Sequence, residues 1–379
     1  MSFDSVRLAD IATLDRTSLK PEDILDDTKY LGLEHVETGG KILSHQVVKN
    51  GDLASSKFKF SPKHILYGKL RPYLAKIASP DFSGICSTDI IPILPTAKVE
   101  RNYLLHFLRQ SRMVDFANSQ STGANLPRLS LKSLAEFKVP LPPLPEQKRI
   151  AAILDQADAL RKHRRRALDH LNQLGQSIFY EMFGDPRTNP MNHPVEAVGA
   201  FAKSIVPGRD KPKSFSGSTP WITTGELVNL QRTKRIHAKK GLSASEIETV
   251  RARVIPAESV IMTCVGDLGV VSIADEKMVI NQQLHSFQCS DALTPEYLMY
   301  ALSGQKQYMI KMATSTTLPY MNKTICNGIP IQIPGIETQK KFSKRGKEIS
   351  QRKNLINKHL ALSETLFASL QQRAFCGEL

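Results

Sequence analysis

Leu144-Pro145-Glu146-Gln147-Lys148-Arg149-Ile150 decides the fold, because Ile336-Glu337-Thr338-Gln339-Lys340-Lys341-Phe342 restates its pattern later in the chain. Gln147 and Gln339 stand 192 residues apart, and the same offset links Ser177 to Ser369 and Phe183 to Phe375 with no gap between. Six positions from Gln147 to Phe183 keep their identity at that offset: Gln147, Lys148, Leu168, Leu174, Ser177 and Phe183. A period near half the chain means one architectural unit written twice. Upstream the match loosens, with offsets between about 190 and 194: Tyr103-Leu104 pairs with Tyr297-Leu298 and Pro62 with Pro256. Ser/Thr clusters at 119–122 and 314–317 precede the better-kept stretch in each half.

That stretch is helical. From Glu146 to Phe183 there is no Pro and no Gly except Gly175, and Ala, Leu, Gln, Arg and Lys dominate. At 1.5 Å per residue the helix is a rod of about 57 Å. Apolar residues at 4-3 spacing, Ile150, Leu154, Ala157, Leu168, Leu171, Ile178 and Met182, trace a coiled-coil seam. The second copy places Phe342, Ile349, Ile356, Leu360, Phe367, Leu370 and Ala374 at matching positions. Neither stripe is stable alone, so the two helices are expected to pack antiparallel; the competing expectation is that each covers its own domain. Prolines in Pro140-Leu141-Pro142-Pro143-Leu144-Pro145 bar a helix upstream, and Gly184-Asp185-Pro186 ends it. The basic run Arg161-Lys162-His163-Arg164-Arg165-Arg166 reads as a solvated face in preference to a phosphate contact.

Residues 1–139 and 195–331 mix short β-branched runs with turns rich in Gly, Pro, Asn and Asp. Ile90-Ile91-Pro92-Ile93-Leu94, Val260-Ile261-Met262 and Gly269-Val270-Val271-Ser272-Ile273 predict strands, and Tyr103–Arg109 and Tyr297–Leu302 short helices. The expected class is α+β: two pseudo-repeated globular domains joined by two long helices packed as an antiparallel coiled coil. The expected boundaries are 1–145 for the first domain, 146–183 for the first helix, 184–194 for a linker, 195–336 for the second domain and 337–379 for the second helix and tail.

The chain has 379 residues, 41% of them hydrophobic, enough to supply two cores. Its net charge of +15 points to a polyanionic partner, nucleic acid above all. The five cysteines, Cys86, Cys264, Cys289, Cys326 and Cys376, form no zinc-ligand spacing and read as free thiols in a reducing cytoplasm. MSFDSVRLAD lacks the features of a signal peptide, no apolar run is long enough to span a bilayer, and no membrane association is expected.

Side chains suited to phosphates and base edges gather in predicted loops. Lys69, Arg71 and Tyr73 lie in one where basic and aromatic residues interleave, and Thr122, Asn125 and Arg128 in another. Thr316, Thr317 and Lys323 are the candidates of the second half. Tyr67 and Tyr73 could equally be core residues.

Catalytic motifs are missing. Gly39-Gly40-Lys41 lacks the upstream glycine of a phosphate loop, and no Asn/Asp-Pro-Pro-aromatic tetrapeptide, GxGxxG, HExxH or GxSxG occurs. Gly266-Asp267-Leu268-Gly269 reads as a tight turn. No catalytic or metal site, and no cofactor, is expected in this chain.

Leu141-Pro142-Pro143-Leu144-Pro145-Glu146-Gln147-Lys148-Arg149-Ile150-Ala151-Ala152-Ile153-Leu154-Asp155, then Met182-Phe183-Gly184-Asp185-Pro186, closely resembles the central region of the specificity subunit of type I restriction-modification systems. The C-terminal run from Leu366 to Leu379 resembles that family's end. The resemblance implies two target-recognition domains, each reading one part of a split asymmetric site in double-stranded DNA, spaced by the helices. It also implies partners: methyltransferase subunits, two of them, and restriction/translocase subunits, to which S-adenosylmethionine, ATP and Mg²⁺ would belong. The second linker departs from the pattern, with Ile333-Pro334-Gly335-Ile336-Glu337-Thr338-Gln339. A two-domain sequence-specific DNA-binding regulator is the alternative reading; a fused single-chain enzyme lacks a motif to support it.

Overall fold

A computed structural model describes residues 3–314 and 317–379. The chain forms two compact units, Met1–His163 with Leu360–Leu379, and Arg164–His359. The cuts fall inside both long helices, so each unit owns one globular part and half of each rod.

The first unit holds a four-stranded antiparallel sheet ordered Ala12–Leu14, Ile90–Pro95, Ile65–Gly68, Ile77–Ala78. Ile90 to Ile93 are buried without alternation because the strand is central and covered on both faces. A five-stranded sheet follows the order Ser18–Leu19, Lys57–Phe60, Gly84–Cys86, Thr28–Leu31, Gln46–Val48, with one parallel pair, Thr28–Leu31 on Gly84–Cys86. The second unit repeats this plan. One sheet runs Ala202–Ile205, Leu284–Cys289, Val260–Thr263, Val271–Ala274, Arg232–Thr233, antiparallel except for its added fifth strand, Arg232–Thr233, which runs parallel to Val271–Ala274. The other runs Lys240–Leu242, Thr219–Ile222, Met278–Ile280, Val254–Ile255, again with one parallel pair, Thr219–Ile222 on Met278–Ile280.

The first long helix spans Leu144–Phe183, with Pro145 in its first turn, and the second spans Ile336–Cys376. Both stop at a left-handed glycine, Gly184 (φ 78°) and Gly377 (φ 76°), a conformation in which only glycine avoids a Cβ penalty. The helices run antiparallel. In the first unit Arg149 donates to a main-chain oxygen of Leu379 and the Arg161 guanidinium lies 3.7 Å from the Phe367 ring centre. In the second, Arg164 donates to the His359 carbonyl, and Phe183 packs on Phe342.

The two packing expectations prove compatible, since each helix half buries one stripe against the other helix and against its unit's globular part. Ile150 and Leu154 join the first core with Phe367 and Ala374, while Leu370 is partly buried against it. Phe342 enters the second core and Ile349 is buried on the same helix. Leu168, Leu171, Ile356 and Leu360 are only half-buried. Ile178 and Met182 are half-buried and pack against the second core, and beside them Phe179 and Phe183 are fully buried in it. A straight helix drifts against a strict heptad, which brings the adjacent positions onto the buried face toward the end of the rod. Gly175 sits where a Cβ would fall 2.2 Å from the Tyr300 hydroxyl, so glycine permits that approach.

The basic run 161–166 is a largely solvated face, with Arg161 and Arg164 as exceptions. Arg161 is half-buried between Asp158 and Phe367, and Arg164 is also half-buried; His163, Arg165 and Arg166 are exposed. Among the described residues no helix is long and apolar enough to cross a membrane.

Candidate nucleic-acid interface

Three segments distant in sequence meet in the first unit. The Leu129 amide donates to the Lys69 carbonyl at 2.9 Å, the Arg71 amide to the Pro127 carbonyl at 2.7 Å, and the Lys69 amide to the Asp89 carbonyl at 2.9 Å. Leu70 and Arg128 thus pair as a β-bridge that fastens the 67–73 loop to the Ser121–Thr122 and Arg128–Leu129 hairpin. This brings Lys69, Arg71, Tyr73, Thr122, Asn125 and Arg128 onto one set of joined loops. Arg71, Thr122, Asn125 and Arg128 are exposed there, and Tyr73 is half exposed. Tyr67 is core, and burial pushes its phenol up. The Asp89 carboxylate holds the cations in place, 3.3 Å from Arg128 Nε and 3.9 Å from Lys69 Nζ.

The second unit builds the same frame from other residues. The Met321 amide donates to the Cys264 carbonyl, the Gly266 amide to the Pro319 carbonyl and the Cys264 amide to the Gln283 carbonyl, each at 2.9 Å. Val265 and Tyr320 make the matching bridge. Gly266 and Gly269 adopt φ of 81° and 84°, as the expected tight turn requires. Thr317 is exposed beside this frame, and Thr316 lies outside the described residues. Exposed Lys323 opens the short helix Lys323–Asn327, which Asn322 caps through the Ile325 amide at 2.9 Å.

Several participants were missed in the sequence. Leu126-Pro127 recurs as Leu318-Pro319 at the offset of 192 residues, a readable signal that extends the repeat into the loops. Ser87-Thr88-Asp89 and its counterpart Asn281-Gln282-Gln283 gave only a faint cue, a polar run between two apolar strands. The exposed cations Arg209, Lys211 and Lys213 reach this region because Gln282 Nε2 donates to the Gly208 carbonyl at 2.9 Å. Farther along the same loop, hydrogen bonds from Ser214 and from the Ser243 and Ser216 amides hold the Glu246 carboxyl down at about 2.

The two frames present different chemistry: Lys69 and Arg128 on an aspartate in one, amides and Tyr320 in the other. Arginine suits guanine or phosphate, and amides suit adenine.

The sequence pattern of the family described as "Type I restriction modification DNA specificity domain" matches residues 2–170 and 203–362. The type I restriction enzyme EcoDI specificity subunit of Escherichia coli is 35% identical over 188 residues, covering 48% of this chain and 40% of that relative. The MjaVIII specificity subunit of Methanocaldococcus jannaschii is 24% identical over 306 residues, covering 70% of this chain and 67% of its own. Two solved structures share the fold. The type I restriction-modification S subunit from M. genitalium has a TM-score of 0.62 at 12% identity, covering 99% of this chain and 96% of that one. A chain from work on complex assembly and conformational transition of the type I R-M system gives 0.54 at 19% identity, with coverage of 100% and 98%. With its two halves matched separately and in order, the chain belongs to the type I restriction-modification DNA specificity family.

Proposed function

We propose that this chain is the DNA-sequence-reading subunit of a type I restriction-modification enzyme, each domain reading one half of a split asymmetric site. The observation that carries this reading is the loop frame built twice with the same backbone hydrogen bonds and different exposed side chains. A frame repeated in both halves fixes where a ligand sits, while side chains that differ between the halves decide which bases each accepts. The net charge of +15 suits a duplex partner. The long helices set the distance between half-sites and offer docking surface to two methyltransferase subunits, with restriction/translocase subunits joining for cleavage.

In this reading the chain acts in the cytoplasm and has no catalysis of its own. S-adenosylmethionine, ATP and Mg²⁺ serve the partner subunits. Selection from a random duplex pool tests it. A bipartite consensus with a fixed gap supports the proposal, and a short uninterrupted consensus would favour a regulator instead.

A further inference from the structure

In the second unit, strand Met278–Ile280 runs into Asn281-Gln282-Gln283 before strand Leu284–Cys289 begins. Each of these consecutive amides has a distinct anchor. Asn281 Nδ2 donates to Gln283 Oε1 at 3.1 Å, and Asn281 Oδ1 accepts from the Gln283 backbone N–H at 3.2 Å. Asn281 therefore clasps the side chain and main chain of Gln283 together. Gln282 Nε2 donates to the carbonyls of Gly208 at 2.9 Å and Asp210 at 3.4 Å, tying the turn to the loop of Arg209, Lys211 and Lys213. The Gln283 carbonyl accepts from the Cys264 amide at 2.9 Å, which fixes the turn to the loop frame.

Gln283 is exposed with its orientation set and its recognition edge open. Asn281 occupies one lone pair of Oε1; the second lone pair and both Nε2 hydrogens remain, and Nε2 has no partner among the described residues. An acceptor beside a donor in one plane complements the N6 amine and N7 of adenine in the major groove. A side chain already held by a neighbour also loses less rotamer freedom on binding. The adjoining exposed cations have the charge that phosphate contacts fixing register require.

We propose that Gln283, positioned by Asn281, reads an adenine through the major groove in the second domain's half-site, with Arg209, Lys211 and Lys213 on flanking phosphates. The inference rests on the DNA-reading function above and adds to it a residue and a base. The matching turn of the first unit, Ser87-Thr88-Asp89, carries no amide, and Lys69 and Arg128 engage its Asp89. The two half-sites therefore differ at this position.

The test is selection from a random duplex library by the full chain, alone and with its modification subunits. The selected site is then titrated with 7-deazaadenine replacing one adenine at a time. One replacement weakens wild-type binding about tenfold and leaves Gln283→Ala unaffected. Gln283→Glu shifts preference there toward cytosine, whose N4 amine needs only an acceptor. Lys211→Ala with Lys213→Ala weakens all sequences alike and flattens the salt dependence. If wild-type, Gln283→Ala and Gln283→Glu select the same split site, the adenine inference is overturned and the recognition function stands. If the wild-type chain selects no sequence, both are overturned.

Discussion

The ring of Tyr103 lies 5.1 Å from that of Phe375, although one belongs to the first globular part and the other to the end of the second long helix. Tyr297 and Phe183 make the reciprocal contact at 4.8 Å. Both tyrosines donate to a carbonyl at 2.8 Å, Tyr103 to Pro140 and Tyr297 to Gln332. Each domain is thus closed by the last aromatic of the helix that starts from the other repeat, as antiparallel rods require.

Phe183→Ala and Phe375→Ala should each destabilise their unit by about 3–5 kcal/mol, since both rings are buried in an aromatic cluster. Urea titration checks this through a lower midpoint. A loss below about 1 kcal/mol would show that the helix ends are not part of the domain cores.

Gln147 and Gln339 perform one task in two places. Gln147 accepts from the Glu100 amide at 2.8 Å and donates to the Lys98 and Pro142 carbonyls; Gln339 accepts from the Thr294 amide at 3.0 Å and donates to the Ala292 and Pro334 carbonyls. Replacing either with Leu keeps the volume but strands buried polar groups, at a cost of about 1–3 kcal/mol. Differential scanning calorimetry should show a lower Tm for each, and an unchanged Tm would refute the role.

Lys353 is 1% exposed, and among the described residues its amine has one hydrogen-bond partner, the Leu230 carbonyl at 3.4 Å. Burial pushes its amine down to about 8, so between that pH and the ordinary value near 10.4 the unfolded chain binds more protons than the folded one. Stability from this group therefore rises as pH rises through that window, by on the order of 3 kcal/mol, and the full penalty applies below it. Lys353→Met should abolish this rise relative to wild type in urea titrations at pH 7 to 10.5. Parallel pH profiles for the two proteins would contradict it.

The repeat and the rods were legible because helix periodicity and Gln147/Gln339 survive divergence. The full burial of Phe179 and Phe183 beside Ile178 and Met182 was not, since a strict heptad omits the helix's drift and the facing Tyr297 and Tyr300 come from tertiary packing. Loop 67–73 and the 121–128 hairpin were both visible as polar loops, but their joining by the Arg71 amide and Pro127 carbonyl depends on long-range backbone pairing. Asn281-Gln282-Gln283 escaped notice because three amides resemble any solvated turn until Asn281 is seen to hold Gln283.

Because both unit boundaries fall inside the long helices, one heptad added after His163 and one after His359 leaves each half's own pairings intact. Seven residues add about 10 Å, so the preferred gap between half-sites should lengthen by about three base pairs. The bases should stay the same. Footprinting or methylation mapping reads the gap, and an unchanged gap would remove the spacing role from the helices.

The most direct measurement is methylation mapping of DNA from cells carrying the partner subunits and a chain whose residues 1–139 come from a different recognition domain. Two independent readers on a common frame predict that one half-site changes while the other half-site and the gap are retained. A swap that alters both halves, or neither, would contradict the account.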